Sequence, residues 1–328
     1  MDHAGLIFDE SFHYIDHLAP FCALANCSLI ICEGSVAELA RTYYPTLNVI
    51  ETDPFRLQLP RRIFSCDNRP LLQAAFPQFN DREIFWLPHG NSDKGWKAPF
   101  FEALQSEICL VYGQKMIDFM DQKNVKAKTI RVGNFRRHYF LKHRDFYRKK
   151  VEALIPKGKK NYLYAPTWED SEGNGSFWKV FPALASALPK DHNLLVKLHP
   201  NTRRRFAMEL EALQGRYEGK PNILFLPEFP PIYPLLDICC AYIGDMSSIG
   251  YDFLTFDKPL FFINPQIGPE NSRFLYRCGV EIPLNQIETL FHLEQPEEIA
   301  SIRKEVSRYT FDPVPEEFFR LCLSVQQP

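Results

Sequence analysis

Residues 242–265 read YIGDMSSIGYDFLTFDKPLFFINP. An apolar run stops at Gly244 and Asp245, and two serines follow at 247 and 248. A helical pattern then carries Asp252, and a second apolar run, PLFFINP, closes the stretch. Strand, polar turn, helix and strand in such quick order is the pattern of parallel α/β architecture. The same alternation runs through the rest of the chain. GLIFD, LIIC, NVIE, RIFSC, EIFWL, ICLVYG and TIRVG read as strands, with SFHYIDHLAPFCALA, SVAELARTYY and QKMIDFMDQKN as helices among them. After a break, NYLYAP, NLLVKLH, NILFLP, CAYIG and PLFFINP alternate with SFWKVFPALASAL, RRRFAMELEALQGRY, PPIYPLLDI and SSIGYDFLTF. The tail PEEIASIRKEVSRYTFDPVPEEFFRLCLSV reads as two more helices.

The break lies at residues 136–160, which hold ten Lys/Arg against two acids and read as a loop, a basic helix and a linker ending near PKGKK. A chain of 328 residues suits two domains of about 150 residues each. The expectation is an α/β fold of GT-B type, two Rossmann-like domains facing a cleft. The first spans residues 1–150, and the second spans 151–328 and carries closing C-terminal helices. In such sheets ligands sit beyond the carboxyl ends of the strands, so the strand-end turns are where chemistry is to be sought.

Composition removes several classes of function. A net charge of −2 with 24% charged residues argues against a nucleic-acid binder, which would be clearly basic. The nine cysteines form no C-x-x-C pair, so reduced thiols in a cytoplasmic protein are expected, with no zinc site. MDHAGLIFDE lacks the basic and apolar regions of a signal peptide. HLAPFCALANCSLIIC, interrupted by Pro20 and Asn26, falls short of about 18 clean apolar residues. No membrane span is expected.

Five strand-end turns are polar. In GDMSSIGYDF the helix starts at Ser247 or Ser248, so its free N–H groups and the hydroxyls make an anion site, and Gly244 lets a phosphate approach. A plain serine N-cap fits the turn equally well. LLVKLHPNT ends with Lys197 and His199 on one face of the strand and Leu198 on the other. YLYAPTWED offers Pro166 and Thr167 to the same cleft. In the first half, EIFWLPHGNSDKGWK places His89 and Gly90 after a strand, followed by Asn91, Ser92 and Lys94. A histidine there suits a general base, because its pKa lies near neutral. IRVGNFRRHY ends a strand at Gly133 and continues to Arg136, the residue type best shaped for phosphate oxygens.

In this order the His-Gly turn, the Gly-x-x-Arg turn, YAPTW, KLHP and GDMSSIGYDFLTFDKPLFF resemble the CDP-glycerol glycerophosphotransferase family of teichoic acid primases and polymerases, over roughly residues 80–285. The resemblance implies that His89 is the catalytic base and Arg136 a phosphate contact. It also implies that Gly90, Asn91, Ser92, Pro166, Thr167, Lys197, Leu198, His199, Ser247, Ser248 and Asp252 bind the donor or its phosphates. The chain departs from the family pattern at Pro88, Asn91-Ser92, Phe135, Arg137, His138 and Met246. The first domain would then face the acceptor and the second the donor nucleotide.

The activity implied by the resemblance is transfer of polyol phosphate from a CDP-activated donor to a hydroxyl acceptor, with release of CMP. No Asp-x-Asp pair occurs, so no tightly bound cofactor is expected, and free magnesium is compatible with the reaction. The implied acceptor is a lipid-linked or glycan hydroxyl, and the implied location is cytoplasmic, peripheral on the inner membrane face. Two alternatives share the phosphate turns: a GT-B glycosyltransferase using a CMP- or UDP-sugar, and a catalytically inactive nucleotide-binding relative.

Overall fold

The structure is a computed structural model that describes residues 2–93, 98–105, 107–169, 173–263, 274–315, 317 and 319. Two parallel sheets organise it. The first holds β1 (His3–Ile7), β2 (Ser28–Ile31), β3 (Val49–Glu51), β4 (Arg62–Ser65), β5 (Glu83–Trp86), β6 (Ile108–Val111) and β7 (Lys128–Arg131), in the order β3-β2-β1-β4-β5-β6-β7. The second holds β8 (Lys160–Tyr164), β9 (His192–Val196), β10 (Ile223–Phe225), β11 (Ala241–Gly244), β12 (Leu260–Ile263) and β13 (Val280–Ile282), in the order β10-β9-β8-β11-β12-β13. Both run outward from a central strand and then reverse, which is the Rossmann order, and the reversal creates a crevice at β1/β4 and at β8/β11.

The strands form where β-branched and aromatic residues run unbroken, because both faces of a parallel sheet are covered by helices. All four residues of β2, β11 and β12 are buried. Every strand expected from the sequence is present. β13, from the Cys278–Ile282 stretch, joins the second sheet beside β12. Several helical readings differ in detail. The basic segment splits into Phe135–Lys142 and Arg144–Leu154. RRRFAMELEALQGRY divides at Phe206 into Pro200–Arg205 and Ala207–Gly215. Of the two tail helices, Glu297–Thr310 is present, whereas the second falls largely outside the described residues.

The halves share one apolar core. A single buried cluster runs from Ile7, Phe21 and Leu29 through Phe135 and Tyr147 to Tyr233, Tyr242 and Phe253. Rings meet across it, with Tyr43 and Phe229 at 5.0 Å and Phe140 and Tyr233 at 6.3 Å between centroids. Each sheet keeps a smaller separate core on its far side. Beyond Thr310 the chain returns to the first sheet, where Asp312 N–H donates to the Tyr112 carbonyl at 2.9 Å and the Asp312 carbonyl accepts from Asn134 N–H at 3.2 Å. The base of the cleft is therefore closed by packing, and the strand-end turns of both sheets stand close together.

Candidate active site

The turn after β5 faces the turn after β11. Gly90 has φ +114°, and a Cβ there would stand 2.6 Å from the Cβ of Ser248. Only glycine satisfies both the left-handed backbone and that approach. His89, next to it, is exposed. Its neighbours come from a turn the sequence reading placed inside a helix, Phe12–Tyr14 and the start of Ile15–Leu24, directly after β1. The ring of His89 lies 5.8 Å from His13, 5.5 Å from Tyr14 and 6.5 Å from His17. His13 in turn lies 5.5 Å from His199, and His199 lies 6.2 Å from Trp168. A row of imidazoles thus joins His89 of the first half to His199 of the second.

Two of the imidazoles here, His13 and His17, are held neutral. Burial pulls His13 well down, and the nearby His89, His199, Lys197 and Arg204 add to it. Burial also lowers His17, followed by Arg136, His89 and His13. His199 caps Pro200–Arg205, its Nδ1 accepting from Asn201 N–H at 3.1 Å. In the neutral ring the proton must then be on Nε2, so that nitrogen is a donor.

Lys197 departs from its reading. β9 ends at Val196, so the alternation that put Lys197 beside His199 no longer applies. Lys197 is buried, donates to the Leu226 carbonyl at 3.2 Å, and is pulled down to about 8 by that burial. Leu198 and His199 are half-buried beyond the strand. Pro166 and Thr167 are buried rather than on the cleft rim. Thr167 N–H donates to Asp245 at 2.6 Å, and the same carboxylate accepts from Ser176 N–H at 2.9 Å and its hydroxyl at 2.7 Å. Asp245, fully buried, ties the β8 turn to the β11 turn. Gly244 needs its bare Cα for the Tyr242 ring. Ser247 caps Ser248–Phe253, accepting from Ile249 N–H at 3.4 Å.

The direct phosphate role read for Arg136 is corrected by its burial. It is 4% exposed, and each of its three guanidinium nitrogens donates a hydrogen bond. Nε donates to the Asp16 carbonyl at 3.1 Å, Nη1 to Asp252 at 2.7 Å, and Nη2 to the Asp16 carboxylate. Asp252 is likewise no free ligand, since it also accepts from the Tyr233 hydroxyl at 3.1 Å. Asp16 accepts further from the Tyr44 hydroxyl at 3.0 Å and from Ile232 N–H at 3.3 Å. Burial would lower Arg136, but Asp16 and Asp252 outweigh it and hold the guanidinium charged. For each carboxyl, burial pushes upward against the pull of Arg136. The cluster clamps the helix after β1, the linker and the serine helix together.

A second strut crosses nearby. Asn91 is buried, and the carbonyl of Ser92 accepts from Lys115 at 3.4 Å. Asp93 pairs with Lys115 at 2.9 Å and accepts from Leu275 N–H at 3.0 Å and from the Tyr251 hydroxyl. Asn91 and Ser92 thus belong to a segment that fastens the His89 turn to the second sheet. Lys94 lies outside the described residues.

After β4, Asp67 accepts from the Tyr14 hydroxyl at 3.2 Å. Burial, then Asp9, pushes its carboxyl up to about 6 from an ordinary 3.8. A raised carboxyl penalises the folded state above its folded pKa, and the penalty fades as pH falls towards 3.8. Asp67→Asn is therefore expected to stabilise by up to about 3 kcal/mol at pH 7.5 and by about half that at pH 5. Urea melts at the two pH values check this, and an equal effect at both would overturn it.

Two Rossmann-like sheets with their strand-end turns opposed define a GT-B type fold. Residues 124–273 match the family model described as CDP-Glycerol:Poly(glycerophosphate) glycerophosphotransferase, a segment that takes in the linker helices and most of the second sheet. The teichoic acid ribitol-phosphate polymerase TarL of Staphylococcus aureus (strain NCTC 8325 / PS 47) is 32% identical over 117 residues, 34% of this chain and 19% of that protein. The chain spans about a fifth of the length of this relative. Among solved structures, the wall teichoic acid polymerase TagF superposes with a TM-score of 0.67 at 14% identity, covering 98% of this chain and 87% of that one. The S. aureus MnaA–UDP co-structure gives 0.62 at 11% identity, covering 99% and 98%. At these identities the structures speak for the fold. Arg136, Pro166, Thr167, Lys197–His199, Ser247, Ser248 and Asp252 lie inside the matched segment, while His89 and the His13–His17 turn lie before it.

Proposed function

We propose that the protein transfers polyol phosphate from a CDP-activated donor to a hydroxyl acceptor. The observation that carries this reading is the row His89–His13–His199, which links the turn expected to face the acceptor with the turns expected to hold the donor. His89 takes the proton of the acceptor hydroxyl, whose oxygen attacks the distal phosphorus of the donor. The bond from that phosphorus to the bridging oxygen breaks, and CMP leaves with the electron pair. Catalysis of this kind is positioning and charge stabilisation. Here Nε2–H of His199 and the Ser247–Ser248 turn supply the donors, while Arg136 acts from behind by fixing the serine helix through Asp252. No tightly bound cofactor takes part in this reading.

A thermal-shift panel of CMP, CDP-glycerol, CDP-ribitol, CMP-sugars and UDP-sugars tests it, because a ligand that binds the folded state raises the melting temperature. The cytidine ligands are expected to shift it most. Clear preference for uridine ligands would favour a glycosyltransferase that attacks an anomeric carbon instead, and a glycosidic product would establish that.

The acceptor in this reading is lipid-linked, and the protein works peripherally at the inner membrane face. Among the described residues no helix is long and apolar enough to cross a membrane. The contact is the helix Arg144–Leu154, with Arg148 and Lys149 exposed and Leu154 46% exposed. Its charge is smaller than the sequence suggested, because Arg144 pairs with Asp237 at 3.0 Å and Arg148 with Asp145 at 3.4 Å. Each remaining cation near an anionic surface adds about 1 kcal/mol. Liposome co-sedimentation is expected to need anionic lipid, weaken with salt, and fall when Arg148, Lys149 and Lys150 become glutamine. Binding indifferent to lipid charge and salt would exclude this contact.

A further inference from the structure

The turn that carries His89 is held from behind by two residues outside the family-matched segment. The Tyr112 hydroxyl donates to the carbonyl of Pro88 at 2.9 Å, one residue before His89. The same oxygen lies 2.9 Å from Nδ1 of His17. A carbonyl can only accept, so the tyrosine proton is committed to Pro88, and the hydrogen on the second bond must come from Nδ1 of His17. Burial keeps that imidazole neutral and the phenol protonated.

The tyrosine ring is itself fixed. It stacks on Phe135 at 5.5 Å and 10°, and meets the edge of Phe311 at 6.0 Å. The His17 ring packs on the other side of the turn, with Cε1 4.0 Å from where a Cβ of Gly90 would stand. Turn, tyrosine and histidine therefore form a chain, His17 Nδ1–H to Tyr112 O–H to Pro88 C=O, ending beside the exposed His89.

We propose that His17 and Tyr112 are positioning residues that set the His89 imidazole relative to the Ser248 turn through this hydrogen-bonded chain. The ring of His89 is exposed, and the backbone immediately before it is anchored by this chain. Misplacing a reacting group by about 1 Å can slow a reaction about 10²-fold, so fixing the turn has a direct kinetic consequence. The inference rests on the transferase reading for its kinetic part only.

Four variants test it. Tyr112→Phe keeps the ring on Phe135 but removes the hydroxyl. His17→Asn places an amide N–H where Nδ1 was, and His17→Gln places one where Nε2 was. In steady-state transfer with CDP-glycerol, Tyr112→Phe, His17→Ala and His17→Gln are expected to lose about 10–100-fold in kcat, with CMP affinity within about twofold of wild type. His17→Asn is expected to stay within about fivefold. Rescue by glutamine and not asparagine would mean that His17 acts through Nε2, and would overturn the proposal. So would equal losses in all four variants accompanied by a common drop in melting temperature. A long-range 1H–15N spectrum of the ligand-free protein reads the His17 tautomer without any turnover. Nδ1–H is expected, and Nε2–H would overturn the proposal. A protein that shows the Nδ1–H tautomer yet turns over no CDP-activated donor would sink the transferase reading and leave the chain standing.

Discussion

His89→Ala is expected to lower kcat for transfer by about 10²–10⁴-fold, the usual contribution of a positioned general base, while CMP affinity changes less than about twofold. The asymmetry comes from where the residue sits. His89 is exposed and stands at the first-sheet end of the imidazole row, which the proposed function gives to the acceptor, with His13 between it and His199. Removing an exposed ring leaves no core cavity, so the variant should melt close to the wild type. His199→Ala should do the reverse, weakening donor binding by about 1.5–3 kcal/mol through loss of a charge-assisted hydrogen bond. Calorimetric titration with CMP and single-turnover transfer separate the two. If His89→Ala transfers within tenfold of wild type, or loses CMP binding first, the division of labour between the halves is wrong.

Arg136→Met is expected to cost about 3–5 kcal/mol of stability, because removing one partner from a buried ion cluster leaves its counter-charges uncompensated. Asp16 and Asp252 are 8% and 3% exposed, and one guanidinium serves both. Burial already pushes both carboxyls up. Without the arginine they rise further, so the folded state takes up protons and the variant regains stability as pH falls through the folded pKa values. The wild type shows a smaller recovery, because Arg136 opposes the rise of both carboxyls. Adding Asp16→Asn and Asp252→Asn should restore part of the loss at pH 7.5. Chemical denaturation across pH 5–8 decides it, and a loss below about 1 kcal/mol would show that the clamp contributes orientation and not stability.

The strands and the functional turns were legible for one physical reason. A strand covered on both faces must be apolar throughout, so polar residues at its carboxyl end are conspicuous. That is how His89, the APT turn, KLH and the paired serines stood out. What the period could not show was which way a side chain goes once the strand has ended. Lys197 seemed to share a face with His199, but β9 stops at Val196, and Lys197 turns under Leu226 instead. Arg136 seemed to be a phosphate ligand, yet two carboxylates more than a hundred residues away in sequence claim it first. The turn holding His13, Tyr14, Asp16 and His17 was hidden inside an amphipathic pattern. Its only signal was an unusual density of polar rings and an acid just after β1, the strand beside the crevice.

The amino-acid sequence by itself determined the two parallel sheets, the break between them and the positions of their polar turns, because burial on both faces is a local demand that each strand must meet alone. Only the tertiary structure decided what those turns do to one another. Gly90 meets Ser248, Asp93 reaches Tyr251, and Asp16 faces Arg136 and Asp252, all through contacts between residues far apart in the chain. A charge buried by folding must find a partner wherever the packing brings one, and no local pattern records where that partner lies.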